Sequence, residues 1–171
     1  MSFHKGDMVM HWTHGIGQIV NLEERALAGS KSIYYVVEIG DMTVWVPADS
    51  NVVNRLRPPT PKPQFEQLLA ILSMPSEPLP EDRVERKTHL LALLQDGRPE
   101  SLCKVIRDLS AYHKQLGKPM NDNDQMILKQ SRKSLLGEWG FVLSLTPAQA
   151  EHELHRLLTP GLHETEKATA A

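Results

Sequence analysis

The sequence predicts a two-domain β + α protein, in which a small β-barrel is followed by a compact all-helical domain of about five helices. Three observations support this prediction. Apolar residues first recur with a period near two, four prolines then interrupt the pattern, and apolar residues afterwards recur with a period near 3.6. We expect a barrel domain over residues 1–58, a linker over 59–63, a helical domain over 64–160 and a flexible tail over 161–171.

Length and composition are typical of a globular protein. The chain has 171 residues, of which 40% are hydrophobic and 23% are charged. The single cysteine, Cys103, cannot form an internal disulfide and indicates a reducing compartment. Residues 1–5 lack the apolar run of a signal peptide, and no stretch approaches the ~20 apolar residues of a membrane helix. We therefore expect a soluble, cytoplasmic protein.

The first part of the chain alternates between apolar and polar residues and is rich in β-branched and aromatic side chains, which suit a pleated, half-buried surface. Glycine–aspartate pairs at positions 6–7 and 40–41 are typical of tight turns. Four or five short strands in about 55 residues predict a barrel, because closure removes exposed sheet edges. The predicted strands are Met8–Trp12, Gly15–Leu22, Ile33–Ile39, Met42–Pro47 and a last one beginning at Val52.

Prolines punctuate the second part. Four of them between Pro58 and Pro63 favour an extended, stiff connector. Beyond it, capping residues predict where helices begin and end. The expected first residues or caps are Pro80 with Glu81 and Asp82 for the second helix, Pro99 for the third, Asn121 or Asp122 for the fourth and Thr146 with Pro147 for the fifth; Gly97 and Gly117 are expected to end the second and third.

The helical period also predicts which side chains face the core. The first helix would bury Phe65, Leu68, Leu69 and Leu72, the second Val84, Leu91 and Leu94, the third Leu102, Ile106, Leu109 and Leu116, and the fourth Ile127 and Leu135. Trp139 is expected to pack against the fifth helix. Cationic residues would then lie opposite these apolar stripes.

The net charge of −2 hides an uneven distribution. Residues 83–133 carry 11 bases and 6 acids, which gives +5, whereas residues 1–60 carry 5 bases and 6 acids, which gives −1. Cationic helix faces bind DNA phosphates with a strong dependence on salt. The alternative is an ordinary solvated surface balanced by acids. The candidate DNA-binding residues are Arg83, Arg86, Lys87, Lys104, Arg107, Lys114, Lys129, Arg132 and Lys133.

Catalytic and metal-binding motifs are not apparent in the sequence. His4, His11 and His14 could together bind zinc, but their spacing matches no common ligand signature, and histidine–backbone hydrogen bonds in a turn explain them better. There is no phosphate-binding glycine loop and no nucleophile elbow. We expect a protein that is not an enzyme and has neither cofactor nor metal.

Trp45 is a candidate partner-binding residue, because aromatic anchors dominate interface energetics. It alternates with Val44 and Val46 in the fourth predicted strand. If the valines face the core, Trp45 faces outward. The opposite arrangement is equally compatible with the sequence.

Several motifs resemble the CarD/CdnL family of transcription regulators. The opening from Phe3 to Gly17 has the family's aromatic residue, Gly-Asp turn, hydrophobic strand and His-Gly turn, and the segment Met42–Pro47 also matches. In the second part, Leu94–Gly97, Val105–Leu109 and Leu135–Glu138 resemble the family's helical-domain signature. The resemblance covers nearly the whole chain.

This resemblance implies a function. The family's Tudor-like barrel, which is shared with the polymerase-interaction domain of the transcription-repair coupling factor, binds the β subunit of RNA polymerase through a strand edge. The helical domain contacts promoter DNA at the upstream edge of the bubble and stabilises the open complex. Separately from the resemblance, which does not indicate whether the chain dimerises, we expect a monomer that is associated with the nucleoid through RNA polymerase. The candidate polymerase-binding residues are Arg25, Trp45, Tyr35 and Val37.

Two positions depart from the family pattern. Arg83 stands where many members have a tryptophan that wedges into the minor groove, and Trp45 stands where the family has a second polymerase-contacting arginine. An arginine can enter a narrow minor groove but cannot unstack bases as an apolar wedge does. Two alternatives therefore remain: a polymerase-bound adaptor or repressor without the wedge mechanism, and a stand-alone DNA-binding protein.

Overall fold

A computed structural model describes residues 2–159 of the chain. The predicted tail, 161–171, lies outside the described residues. Two compact units divide between Pro59 and Thr60. Among residues 2–159, the first contains a five-stranded antiparallel sheet and the second contains five α-helices, which confirms the predicted β + α fold class.

The sheet is built from consecutive hairpins and one short closing strand. In the described residues the order is β4-β3-β2-β1-β5, and every neighbouring pair is antiparallel. β4 and β5 are therefore the edge strands, so the sheet is not closed by a ladder between them, as a full barrel would require. The strands are β1 (Met8–His11), β2 (Gly15–Leu27), β3 (Ser30–Ile39), β4 (Met42–Pro47) and β5 (Leu56–Arg57), with a 3₁₀ turn at Val52–Asn54 before β5.

A β-bulge in β2 decides which side chains of this strand face the core. Ile19 pairs with Val37, but the next paired residue is Asn21, opposite Val36. The extra residue reverses the in–out alternation, so odd-numbered residues face the core before the bulge and the outer side after it. The buried core on the inner side consists of Phe3, Val9, Ile19, Tyr35, Val37, Ile39, Val46, Val52 and Leu56.

The β2–β3 hairpin ends in a two-residue turn at Ala28 and Gly29. Both residues have positive φ, 51° and 83° respectively. This geometry matches the right-handed twist of the strands and normally selects Asn-Gly. Ala28 therefore holds a left-handed conformation that its Cβ disfavours.

The helices have the predicted order, and most of their ends agree with the expected caps. Pro99 begins α3, Asn121 caps α4, and Thr146 caps α5 through a capping box with Gln149. The second helix differs, since it begins at Arg83 with Asp82 as its N-cap rather than at Pro80. The bounds are α1 (Lys62–Leu72), α2 (Arg83–Gln95), α3 (Pro99–Leu116), α4 (Asp122–Leu143) and α5 (Pro147–Leu158).

The predicted inward face of α2 is wrong for Val84 and Leu91, whereas Leu94 packs against the core of the unit as predicted. Val84 is 73% exposed and Leu91 is also exposed, whereas Arg86 and Leu90 are buried. The helix is rotated relative to the prediction because the Arg86 side chain pairs with Asp124 of α4 inside the unit. An ion pair and Leu90, rather than a purely apolar stripe, therefore fix the orientation of this helix.

Part of the segment predicted as a linker is anchored in the helical unit. The backbone N–H and the hydroxyl of Thr60 both donate to Oε1 of the buried Glu138, at 2.8 Å each. Lys62 and Pro63 already belong to α1. The chain is thus ordered by direct contacts from Thr60 onward.

Trp139 is buried in the core of the helical unit, with its ring 6.3 Å from that of Phe65. This confirms the expectation that it packs inside the protein. Buried residues of α1, α3, α4 and α5 surround it: Leu68, Leu72, Cys103, Ile106, Leu135, Ala150 and Leu154. Within residues 2–159, none of the helices has both the length and the apolarity needed to cross a membrane.

Candidate functional site

The outer side of the sheet carries a contiguous polar and aromatic surface. After the bulge, Glu23 and Arg25 of β2 point to this side, next to Tyr34 of β3 and Trp45 of β4. We call Glu23, Arg25 and Trp45 the outer trio. Val46, the neighbour of Trp45, is buried, and Val44 packs against the core, so the outward alternative for Trp45 is confirmed.

The outer trio is held together by three contacts. The indole Nε1 of Trp45 donates to Oε2 of Glu23 at 3.0 Å, and Nε of Arg25 donates to the same oxygen at 3.3 Å. The Arg25 guanidinium carbon lies 4.5 Å from the centroid of the Trp45 ring, a cation–π arrangement. Trp45 nevertheless remains 40% exposed. A positioned aromatic ring is thus offered on an edge strand, where a partner's strand can add to the sheet.

Glu23 was not among the sequence-predicted site residues. Its signal was its position two residues before Arg25, because residues at i and i+2 of a strand share a face. The third contact could not be found this way. Trp45 lies 22 residues from Glu23 along the chain, and only the strand register brings the two together.

Two of the predicted polymerase-binding residues are buried in the sheet unit and do not lie on its surface. Tyr35 and Val37 lie on the inner side of β3, with exposures of 5% and 0%. Val37 pairs with Ile19 and Val44, and the Tyr35 hydroxyl accepts a hydrogen bond from the backbone N–H of Phe3. Because these side chains form the core, they are unavailable to a partner, and their role is structural.

The histidine cluster is explained by a turn. Nδ1 of the buried His11 accepts hydrogen bonds from the backbone N–H groups of Thr13 and His14. Desolvation by burial, together with the neighbouring His14, lowers the pKa of His11 from 6.5 to about 4. Its ring is therefore neutral at pH 7. No group of three or more potential metal ligands occurs among residues 2–159.

Most of the predicted DNA-binding residues lie on the surface of the helical unit. Lys129 and Lys133 are exposed one turn apart on α4, whereas the partly buried Arg132 pairs with Glu151 of α5 at 3.2 Å. Lys87 is partly buried. The exposed candidates are Arg83, Lys104, Lys114, Lys129 and Lys133.

The prediction that Arg86 and Arg107 belong to a cationic surface is wrong. Both are buried, with exposures of 3% and 6%. Arg86 pairs with Asp124 at 2.9 Å, and Arg107 pairs with Asp108 at 2.7 Å. A buried guanidinium needs a carboxylate or carbonyl partner, and each of these has one. These two arginines therefore stabilise the fold instead of facing a ligand.

The motifs of the helical-domain resemblance have structural roles. Besides binding Arg107, Asp108 accepts a hydrogen bond from the backbone N–H of Glu77 at 3.0 Å and so fixes the loop before α2. Asp96 accepts hydrogen bonds from the N–H of Arg98 and the hydroxyl of Ser101 at the beginning of α3. These carboxylates maintain the shape of the unit, and the exposed cations are left as its candidate ligand contacts.

Comparisons with known proteins agree with this architecture. Residues 3–58 match the family model of the CarD-like/TRCF RID domain. The match covers almost all of the first unit, which is therefore similar to a CarD-like/TRCF RID domain. It is also 25% identical over 153 residues to "Putative transcription factor YdeB" of Bacillus subtilis (strain 168), an alignment that covers 86% of this chain and 96% of that protein. The predicted resemblance to the CarD/CdnL family is confirmed.

Proposed function

We propose that this transcription regulator docks on the β subunit of RNA polymerase through its RID domain and contacts promoter DNA through its helical unit, stabilising the open complex near the upstream edge of the bubble. The observation that carries the proposal is the outer trio, in which Arg25 positions the exposed Trp45 on edge strand β4 of a unit that matches the RID-domain model. The similarity to a protein described as a putative transcription factor supports a regulatory role.

Edge strand β4 supports the docking step. As the last strand in the sheet order, it presents one row of backbone groups outside the β3–β4 ladder. A partner strand can pair with this row, while Trp45 provides the central side-chain anchor. Thr43 and Pro47 flank Trp45 on the same face of β4, so no charged side chain of this strand lies next to the indole ring.

The exposed lysines of the helical unit support DNA contact. Each exposed lysine that meets a phosphate releases counterions, so such contacts give affinity without sequence specificity. The chain as a whole has a net charge of −2, and we expect weak binding to DNA in the absence of polymerase. Docking on polymerase would raise the local concentration of the helical unit at the promoter, so that a few weak phosphate contacts are sufficient.

The docking step is tested by measuring binding of the full-length chain to the β-subunit lobe. Arg25→Glu places a second acid beside Glu23, breaks the cation–π contact and is expected to weaken binding at least ~10-fold. Lys31→Glu is the matched control, because Lys31 is an exposed base of the same hairpin. Its ion pair is with Glu24, outside the outer trio. Equal effects of the two reversals, or no binding of the unmodified chain, would contradict docking through the outer trio.

The DNA step is tested by the half-life of promoter open complexes at matched protein concentration. The double variant Lys129→Glu with Lys133→Glu should shorten the half-life relative to the unmodified chain and still bind polymerase. Arg156→Glu is the control, since Arg156 is exposed but already paired with Glu153. If the unmodified chain binds polymerase without lengthening the half-life, the protein is an adaptor or repressor.

A further inference from the structure

We propose that Trp45, oriented by Glu23, selects a partner strand that places an apolar or uncharged side chain, and not a carboxylate, against the outer trio. The inference rests on the proposed docking and names the chemistry that the polymerase segment must have. It follows from how the charges of the outer trio are already used.

Arg25 already has an acidic and an aromatic partner within the trio. Its Nε donates to Glu23 at 3.3 Å, and its guanidinium lies over the indole ring of Trp45 at 4.5 Å. An arginine that recognises a partner's carboxylate needs its planar donors directed toward that group. Here the Nε donor serves Glu23 and the guanidinium is held against the ring. The side chain is therefore arranged as a support for Trp45.

The charges around Trp45 also disfavour an incoming acid. Strand β4 contributes no charged side chain between Met42 and Pro47. Glu38 pairs with Thr43 and so lies diagonally next to Trp45 on the outer face, while Glu23 lies on the other side of it. Two acids and one arginine give this surface a net charge of −1. A partner carboxylate would meet like charges, which costs affinity at an interface.

Glu23 acts as a positioning residue. The indole N–H of Trp45 is its only polar donor, and Glu23 satisfies this donor at 3.0 Å before any partner arrives. The ring is consequently fixed with an apolar surface available for contact. A preorganised aromatic side chain loses less conformational entropy on binding. Because Glu23 holds Trp45 in place, it affects affinity without contacting the partner itself.

Two properties distinguish an apolar contact from an ion pair. Contact between apolar groups is little affected by salt, whereas exposed ion pairs are screened within a Debye length of ~10 Å at 0.1 M ionic strength. An arginine introduced at position 45 would strengthen binding to an acidic partner and weaken binding to an apolar one. The direction of the effect of Trp45→Arg therefore identifies the partner's chemistry.

The experiment measures the dissociation constant of the full-length chain with the purified β-subunit lobe at about 50 and about 500 mM NaCl. We expect Trp45→Arg to weaken binding about 30-fold at both concentrations, as for loss of an interface hot spot, and Trp45→Phe to weaken it less than about 5-fold. Thr43→Arg is the matched control, because it adds the same charge on the same face of β4 and keeps the indole ring; its effect should be smaller. Thermal melts of each variant verify folding.

Glu23 is tested in the same assay. Glu23→Ala should weaken binding about 3- to 10-fold, and Glu23→Gln should restore it, because the amide oxygen can still accept the indole N–H. The inference is overturned if Trp45→Arg binds as tightly as the unmodified chain or more tightly, or if the unmodified affinity falls more than about 10-fold with salt. Absence of binding by the unmodified chain would instead overturn the proposed docking itself, and with it this inference.

Discussion

Two parts of the molecule contain the same three chemical groups in different surroundings. In the sheet, Glu23, Arg25 and Trp45 form the outer trio, with the guanidinium carbon 4.5 Å from the ring centroid. In the helical unit, Asp124, Arg86 and Tyr112 form what we call the inner trio, in which the same distance is 4.8 Å. The geometry of arginine over an aromatic ring is almost the same, but the surroundings of the two trios differ.

The inner trio is enclosed and saturated with hydrogen bonds. Nη1 of Arg86 donates to the carbonyls of Pro80 and Glu81 and to the hydroxyl of Tyr112, and its Nε donates to Asp124. Asp124 also accepts a hydrogen bond from Nδ2 of Asn121 and pairs with His113 at 2.8 Å. The outer trio has two hydrogen bonds and a largely hydrated surface. Burial thus assigns one trio to stability and leaves the other available for recognition.

The largest expected effect tests this division directly. Asp124→Ala leaves Arg86 as an uncompensated buried charge and should destabilise the helical unit by about 3–5 kcal/mol. Urea unfolding followed by the circular dichroism of the five α-helices of this unit measures the change. A loss below about 1 kcal/mol would contradict the structural role assigned to the inner trio.

The pH dependence of the sheet unit is the next effect in size. The pKa of His11 is lowered from 6.5 to about 4, so between these pH values the unfolded chain binds a proton that the folded chain excludes. The stabilisation is complete above pH 6.5 and is lost as the pH falls to 4, by about 3 kcal/mol. Unfolding of the unmodified chain and of His11→Asn, whose amide oxygen can replace Nδ1 as acceptor, should differ in slope over this window. Parallel slopes would show that His11 is not the responsible group.

A smaller effect is expected where the β2–β3 hairpin turns. Ala28→Asn should stabilise the sheet unit by up to about 1 kcal/mol, because asparagine tolerates positive φ better than alanine does. Ala26→Asn is the control, since Ala26 lies in the β2–β3 ladder, where asparagine is disfavoured. The midpoints of thermal unfolding compare the two variants. A lower midpoint for Ala28→Asn than for the unmodified chain would contradict the strained turn.

The smallest effect completes the comparison of the two trios. Glu23→Ala removes the carboxylate of the outer trio and should change stability by less than about 1 kcal/mol, because exposed ion pairs contribute little. The same variant is expected to weaken binding to the β-subunit lobe, because Trp45 loses the acceptor that orients its indole ring. The free energy of unfolding is measured for Glu23→Ala and compared with that of Asp124→Ala. Similar losses from both variants would show that the outer trio is part of the stabilising framework.

The sequence was sufficient for features that depend on neighbouring residues. Thr146 caps α5 because its hydroxyl accepts from a backbone N–H three residues away, and Gly117 ends α3 because it adopts a left-handed conformation with φ of 59°. The alternation of β3 likewise identified a strand with one buried face. Capping, turns and periodicity are local, so the order of elements and most helix ends could be predicted.

Only the tertiary structure decided which side each functional residue faces. The bulge between Ile19 and Asn21 turns Arg25 outward, and a single inserted residue leaves little trace in an alternating pattern. Arg86 looked like a surface cation because its partner, Asp124, is 38 residues away on another helix. Local chemistry determined the helices and strands of this protein. Long-range pairing decided which charged side chains are buried and which are exposed. No local pattern of the chain encodes this pairing.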